Sequence, residues 1–242
     1  MKNKHHLEFN DPHNWLDIIR EEVRKTYIIP TDMDLDVCVD LGANVGGFFV
    51  ENHMKFKKIF SFEASKNTFE EACLNMNRYG IKNVNLYNLA AYKSSDQIVR
   101  LKHFGSPNDP DNAHINNRSG NASVSNVPKY KCGTGYIEDI YEEVKSISLE
   151  GIESIIDQKR INYLKCDIEC GEFDFFINKK LDNIDFISME LHCNLGFEKI
   201  KSLINHLEVY FKYYKSKRPS KLPNVDKNQF FHLNLNLINK NL

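Results

Sequence analysis

The chain lacks an excess of either charge. Its 32 lysines and arginines stand against 33 aspartates and glutamates over 242 residues, for a net charge of −1. That balance removes the electrostatic case for a nucleic-acid partner. No apolar run reaches the roughly 18 residues of a membrane span, and the N-terminus has no signal-peptide core, so a cytoplasmic protein with no membrane span is expected. Cysteines are few and scattered, at 38, 73, 132, 166, 170 and 193. Cys38 and Cys166 lie in apolar runs and read as small buried side chains in a reduced compartment. Without secretion, the triplets Asn117-Arg-Ser119 and Asn121-Ala-Ser123 carry no glycosylation meaning. There is no internal repeat. With 41% hydrophobic content the chain can bury a full core, and α/β domains of this size commonly stay single.

What is present is concentrated in Asp36-Val-Cys-Val-Asp-Leu-Gly-Ala-Asn-Val-Gly-Gly47. An apolar strand, Val37 to Val39, runs into a glycine turn, and a helix opens from Phe48 onward. Helix-start N–H groups and the positive end of the helix dipole are expected to face a ligand there. No Gly-Lys-Ser/Thr follows, which excludes a phosphate-cradling P-loop. Gly42-x-Asn44-x-x-Gly47 is a degraded dinucleotide fingerprint, with asparagine where the second glycine belongs. Read as Asp40-x-Gly42-x-Asn44-x-Gly46, the same residues fit the acidic-x-Gly-x-Gly-x-Gly turn of S-adenosylmethionine enzymes with one substitution. That reading gives Asp40 a task, since its carboxylate can face the cofactor's ammonium, whereas it would repel a pyrophosphate. About twenty residues on, Lys57-Lys-Ile-Phe-Ser-Phe-Glu63 ends a second strand in a carboxylate, where a ribose-binding acid is expected. Capping the next helix is the structural alternative for Glu63.

Several other patterns read as structure. Tyr141-Glu-Glu-Val-Lys145 has the Tyr-x-x-x-Lys spacing of short-chain dehydrogenases, but the run is acidic and the glycine turn is spaced wrongly for them. Cys166, Cys170, His192 and Cys193 suggest zinc, yet on an alternating strand Cys166 faces away from Lys165, Asp167 and Glu169, and no metal is expected. Lys212-Tyr-Tyr-Lys-Ser-Lys-Arg218 reads as a solvated surface strand, and Tyr210, Phe211, Tyr213 and Tyr214 as core packing.

Strand and helix alternate along the chain, which argues for an α/β doubly wound parallel sheet. Residues 1–35 form an N-terminal helical extension whose Trp15, Ile18, Ile19, Val23 and Tyr27 recur at helical spacing. The remainder, 36–242, reads as one domain. Strands are expected at Val84 to Leu89, Gln97 to His103, Val144 to Leu149, Ile161 to Ile168 and Ile184 to Leu191, with helices at Asn67 to Tyr79 and Ile152 to Gln158. His206 to Lys215 and Gln229 to Leu237 read as a terminal strand pair. Residues of about 104–136, rich in Asn, Gly, Ser, Pro and Asp, read as a lid-like insertion.

These residues together resemble the FkbM-type S-adenosylmethionine-dependent methyltransferases, a family of class I methyltransferases. The likeness runs through Val39-Asp-Leu-Gly-Ala-Asn-Val-Gly46, Phe60-Ser-Phe-Glu63, Asn88-Leu-Ala-Ala91, Gly120-Asn-Ala-Ser-Val124, Ile147-Ser-Leu-Glu-Gly-Ile152, Tyr163-Leu-Lys-Cys-Asp-Ile-Glu-Cys-Gly-Glu172 and Ile187-Ser-Met-Glu-Leu-His192. The block Leu-Lys-x-Asp-x-Glu-x-x-Glu is its most specific piece. Two departures are Cys170 within Glu169-Cys-Gly and Ser148-Leu-Glu150 where Thr-Leu-Asp is usual.

The resemblance implies a mostly parallel seven-stranded Rossmann-like sheet finished by an antiparallel C-terminal strand pair, with S-adenosylmethionine as cofactor. It implies cofactor contacts from Asp40, Gly42, Ala43, Asn44, Gly46, Glu63 and Ala90, with Asn121 and Ser123 closing from the insertion. It also implies transfer to a hydroxyl of a carbohydrate or related small-molecule or glycan acceptor.

Chemistry is expected at the carboxyl ends of the parallel strands, where Asp167, Glu169, Glu190 and His192 gather. His192 is the first candidate for a general base and Asp167 the second, with Glu190 holding the imidazole or an acceptor hydroxyl, and Lys165 pairing with Asp167 or Glu169. A structural ion-pair network and a divalent ion held by oxygen ligands plus His192 are the alternatives. A non-catalytic cofactor-binding protein would keep Asp40, Gly42 and Glu63 without needing His192 or Asp167.

Overall fold

A computed structural model describes residues 15–103, 122–123, 140–156, 160–192, 196–219 and 232–242. Its centre is a seven-stranded sheet in the order β10-β11-β9-β8-β1-β2-β3. The strands are β1 Val37–Leu41, β2 Lys58–Glu63, β3 Val84–Asn88, β8 Ile161–Cys166, β9 Ile184–His192, β10 Phe211–Tyr213 and β11 His232–Asn239. From β3 to β9 every pairing is parallel; β11 runs antiparallel to β9, and β10 antiparallel to β11. This is the expected doubly wound, mostly parallel sheet with its antiparallel C-terminal pair.

Period-two alternation assigns the two faces. On β1, Val37, Val39 and Leu41 join one buried cluster with Phe60, Leu164, Cys166 and Ile187, covered by α4 (Leu149–Ile155), α5 (Glu172–Phe176) and α6 (Phe197–Tyr210). Cys38 points to the other cluster, with Ile59, Tyr163 and Phe186, covered by α1 (Trp15–Thr26), α2 (Gly47–Asn52) and α3 (Lys66–Arg78). A ladder of rings runs through that face, Phe48, Tyr163 and Phe186 stacking at centroid distances of 5.9 and 5.5 Å.

Helix α1 is fastened to α2. Arg20 and Arg24 both bond Glu51, and a Cβ on Gly47 would stand 2.4 Å from Ile19 Cγ2, so glycine there lets the two helices touch. Ile18 on the same helix is exposed rather than packed. Among the described residues no helix is long and apolar enough to cross a membrane.

A smaller sheet, β4-β7-β5-β6, lies beside the first, built from β4 Ala90–Ala91, β5 Ile98–His103, β6 Ala122–Ser123 and β7 Ile140–Ile147. The lid-like insertion expected over about 104–136 lies outside the described residues except for β6.

Two expected boundaries moved. Ser148 caps α4 by accepting from Gly151 N–H at 3.3 Å, so the helix begins at Leu149, three residues before the expected start, and the preceding strand ends before it. His206 to Tyr210 belongs to α6, not to a strand, because Ile200, Leu203, Ile204 and Leu207 keep helical spacing and are all buried.

Candidate functional site

The glycine turn joins β1 to α2 at the carboxyl edge of the sheet. Gly42, Asn44 and Gly46 all take left-handed φ, at 73°, 52° and 90°. A Cβ on Gly42 would come within 1.7 Å of the Asp167 carbonyl oxygen, so this glycine is demanded by φ and by contact with the loop after β8. The turn's own N–H groups are largely taken within the protein. Gly42 and Ala43 N–H donate to Phe62 O, Asn44 N–H to Glu63 Oε2, Val45 N–H to Asn44 Oδ1, and Gly46 N–H to Ala43 O. The expectation of N–H groups turned to a ligand is therefore restricted to the helix start beyond Gly46.

Glu63 ends β2 with its carboxylate turned back onto the turn. Its two oxygens accept from Asn44 N–H at 2.8 Å and Ser65 N–H at 2.9 Å. Burial pushes its pKa up to about 7 against the pull of those two N–H groups. Each carboxylate oxygen has a second lone pair for a hydroxyl donor. Ser65 Oγ and Thr68 Oγ1 close by in sequence are buried with no hydrogen-bond partner. A carboxylate with spare acceptor capacity and an orphaned buried hydroxyl fit a ribose-bearing cofactor at the β1–β2 end. Ala90 opens β4 and is buried. Asn121 lies outside the described residues, and Ser123 is placed by its backbone pairing with Lys102.

Asp40 is engaged elsewhere than expected. The parallel register sets it beside Lys165 on β8, and the two fully enclosed side chains pair at 3.3 Å, with Ser61 Oγ donating to Asp40 at 3.1 Å. Burial raises the Asp40 pKa, and the Lys165 charge opposes it. Lys165 also donates to the carbonyls of Leu41 and Gly42, so it ties β8 to the glycine turn instead of pairing with Asp167 or Glu169. An ammonium in the cofactor would meet an aspartate already neutralised.

Past the end of β8, Asp167, Glu169 and Glu172 converge on His192 at the end of β9. His192 Nδ1 lies 2.8 Å from Glu172 Oε1, and Nε2 lies 3.3 Å from Glu169 Oε2 and 4.0 Å from Asp167 Oδ1. Burial alone would lower the His192 pKa, but Glu172, Glu169 and Asp167 together lift it to about 10. Burial drives Glu169 up to about 8 against the His192 charge. The expectation that His192 is the base does not fit this geometry: the ring is 1% exposed, both nitrogens face carboxylates, and it is charged at neutral pH. Asp167 Oδ2 accepts from Tyr27 OH at 2.9 Å, and the Tyr27 ring lies under Lys165 Nζ at 5.4 Å. Glu190 is held by His232 Nδ1 at 2.8 Å, not by His192, and burial pushes its pKa up to about 7. Donor atoms of Asp167, Glu169 and His192 lie within 4.8 Å of one another, which is close enough for a shared ion. The ion pairs described above account for the same spacing.

The turn after β8 is tight. Glu169 and Cys170 take φ of 48° and 72°, and Gly171 N–H bonds Ile168 O at 3.1 Å. Cys170 thus occupies a conformation that glycine adopts at no steric cost. The helix that follows starts at Glu172. Cys38 and Cys166 are buried free thiols, and Cys170 is buried as well.

Three residues of this rim carry no role in the sequence reading. Tyr27 reads there as one more apolar position of a helical stripe, Glu172 as the last acid of a motif, and His232 as one residue of an alternating terminal strand. Packing of α1, α5 and β11 at the ends of β8 and β9, not sequence spacing, brings them together.

The Methyltransferase FkbM domain family matches residues 40–218. No curated protein matches the sequence. Among solved structures, an rRNA methylase from Streptococcus thermophilus is similar at 10% identity, covering 92% of this chain and 94% of that one, with a TM-score of 0.46. TrmK of M. capricolum, solved with S-adenosylhomocysteine, is similar at 10% identity over 92% of this chain and 68% of its own, with a TM-score of 0.48. SMU.1697c from Streptococcus mutans, also solved with that product, is similar at 8% identity over 93% and 97%, with a TM-score of 0.45.

Proposed function

The chain belongs to the FkbM methyltransferase family, and from that premise we propose that it moves the methyl group of S-adenosylmethionine to a hydroxyl oxygen of a carbohydrate or related small acceptor. When bound, the cofactor supplies an activated methyl group with a good leaving group already attached. The chain's residues have the remaining tasks: alignment of the acceptor and removal of its proton.

One observation carries the acceptor class. The rim at the ends of β8 and β9 is lined by carboxyl groups, with Asp167, Glu169 and Glu172 around the buried His192 ring and Glu190 on His232. Carboxyl groups exchange hydrogen bonds with sugar hydroxyls, so the rim favours a polyhydroxylated acceptor. In this reading Glu63 takes the ribose hydroxyls, Asp40, Gly42, Ala43, Asn44 and Gly46 shape the turn beneath the methionine part, and Ala90 lines the base. His192 holds Glu169 and Glu172 in place as a buried cation. Tyr27 on Asp167 supports the described part of the N-terminal extension, 15–35, as contributing to the site of a cytoplasmic enzyme.

The test is S-adenosylhomocysteine formation, followed by mass spectrometry, with a panel of methyl glycosides and, in parallel, short RNA oligonucleotides. Turnover on glycosides is expected. Turnover on RNA alone would overturn the acceptor class, and thermal stabilisation by the cofactor without turnover on either would favour a binding protein.

A further inference from the structure

Two histidines meet at this rim, and their surroundings are opposite. β9 and β11 pair antiparallel with His192 directly across from His232, and the rings lie 6.5 Å apart. Because β11 runs against the parallel strands, its first residue, His232, falls at their carboxyl edge, where ligands bind in open α/β sheets. His192 is sealed between Glu172 and Glu169. His232 has a side chain 41% exposed, and its Nδ1 is fixed by Glu190, whose own side chain is 9% exposed. An imidazole whose Nδ1–H donates a hydrogen bond to a buried carboxylate keeps its lone pair on Nε2.

We propose that His232, oriented by Glu190, is the general base that takes the proton from the acceptor hydroxyl. The assignment rests on the hydroxyl-transfer reading above. As the acceptor oxygen bonds to the methyl carbon, the carbon–sulfur bond breaks with its electron pair left on sulfur. The hydroxyl proton passes to His232 Nε2, and the imidazolium then releases it to solvent. Glu190 is a positioning residue in this scheme, setting the tautomer and steadying the charge that forms. Among the described residues, the charged groups facing His232 are Glu190 and His192 on β9 and Asp167 after β8. Burial and the His192 charge lower the His232 pKa, and Asp167 opposes them.

The full chain is assayed with S-adenosylmethionine and the methyl glycoside that the wild type turns over best. His232→Ala is expected to lower kcat by about 100-fold or more, the range for losing a positioned base, with cofactor affinity within a few-fold and partial rescue by added imidazole. Glu190→Gln should lower kcat less and shift the acid limb of the pH profile. A His232→Ala rate close to that of the wild type overturns the assignment. A second arm needs no variant: ¹⁵N-histidine NMR of the wild type at about pH 7 should show His232 neutral with its proton on Nδ1, and a charged ring or a proton on Nε2 overturns it. If the wild type methylates no glycoside, the hydroxyl-transfer reading falls and takes this base with it. Turnover that survives loss of His232 removes His232 alone.

Discussion

Replacing Gly42 by alanine tests the central contact of the site. Two costs are separable. The first is conformational, since an L residue at φ 73° loses about 1–2 kcal/mol relative to glycine. The second is steric, because the new Cβ would sit 1.7 Å from the backbone oxygen of Asp167, a group that cannot swing aside. Forcing atoms into a packed region adds about 1–3 kcal/mol, so the total is about 2–5 kcal/mol. Gly80 provides the control. Its φ is 64°, but a Cβ there would meet nothing within 4 Å, so Gly80→Ala bears only the first cost. For a chain of 242 residues each kcal/mol moves Tm by about 2–4 °C. Gly80→Ala should therefore melt about 2–8 °C low, and Gly42→Ala up to about 20 °C low. Calorimetry with and without S-adenosylmethionine reads both effects. The cofactor should raise Tm for wild type and Gly80→Ala but not for Gly42→Ala, whose turn has been pushed off the loop after β8. If Gly42→Ala melts with Gly80→Ala and keeps the cofactor shift, the close approach of turn and loop is not what holds the site.

Lys165→Met leaves Asp40 buried without its cation and should cost about 3–5 kcal/mol, while Asp40→Asn with Lys165→Met recovers most of it; chemical denaturation of the three variants measures this, and a silent Lys165→Met would refute the pairing. His192 has a folded pKa of about 10 against an ordinary 6.5, so its ion pairs stabilise fully below pH 6.5 and are lost as pH rises toward 10. NMR should find the His192 ring charged throughout the neutral range, and a midpoint near 6.5 would refute the enclosure. Glu63 also has a raised pKa, of about 7, so its contribution to stability declines as pH rises from 4.5 through 7, and Glu63→Gln should flatten that part of the Tm–pH curve. The same substitution should weaken cofactor binding about tenfold by calorimetric titration, through one lost charge-assisted hydrogen bond.

The parts of the fold that depend on local period were legible in the sequence. β1, β2, β8 and β9 stand where apolar runs ended in Asp40, Glu63, the Asp167 block and His192, because a strand buried on both faces reads as such without knowledge of its neighbours. Boundaries failed where a side chain decided them. Ser148 stopped one strand and started a helix with a single hydroxyl, and the aromatic run after His206 hid a helical stripe whose spacing begins earlier, at Ile200.

The site was legible as a list and not as a set of partners. The sequence places Asp40, Lys165 and His192 on the same rim but not His232, and the pairs follow from register across neighbouring strands. Asp40 meets Lys165 only because β1 lies beside β8 in that register, and His232 faces His192 only because β11 returns antiparallel along β9. Enclosure then divides the work: a histidine with both nitrogens on carboxylates becomes a fixed cation, while its half-exposed neighbour, bonded to Glu190, retains a lone pair. The residue type that made His192 the natural candidate is shared by His232, and the difference between them is which carboxylates the sheet brings to each ring.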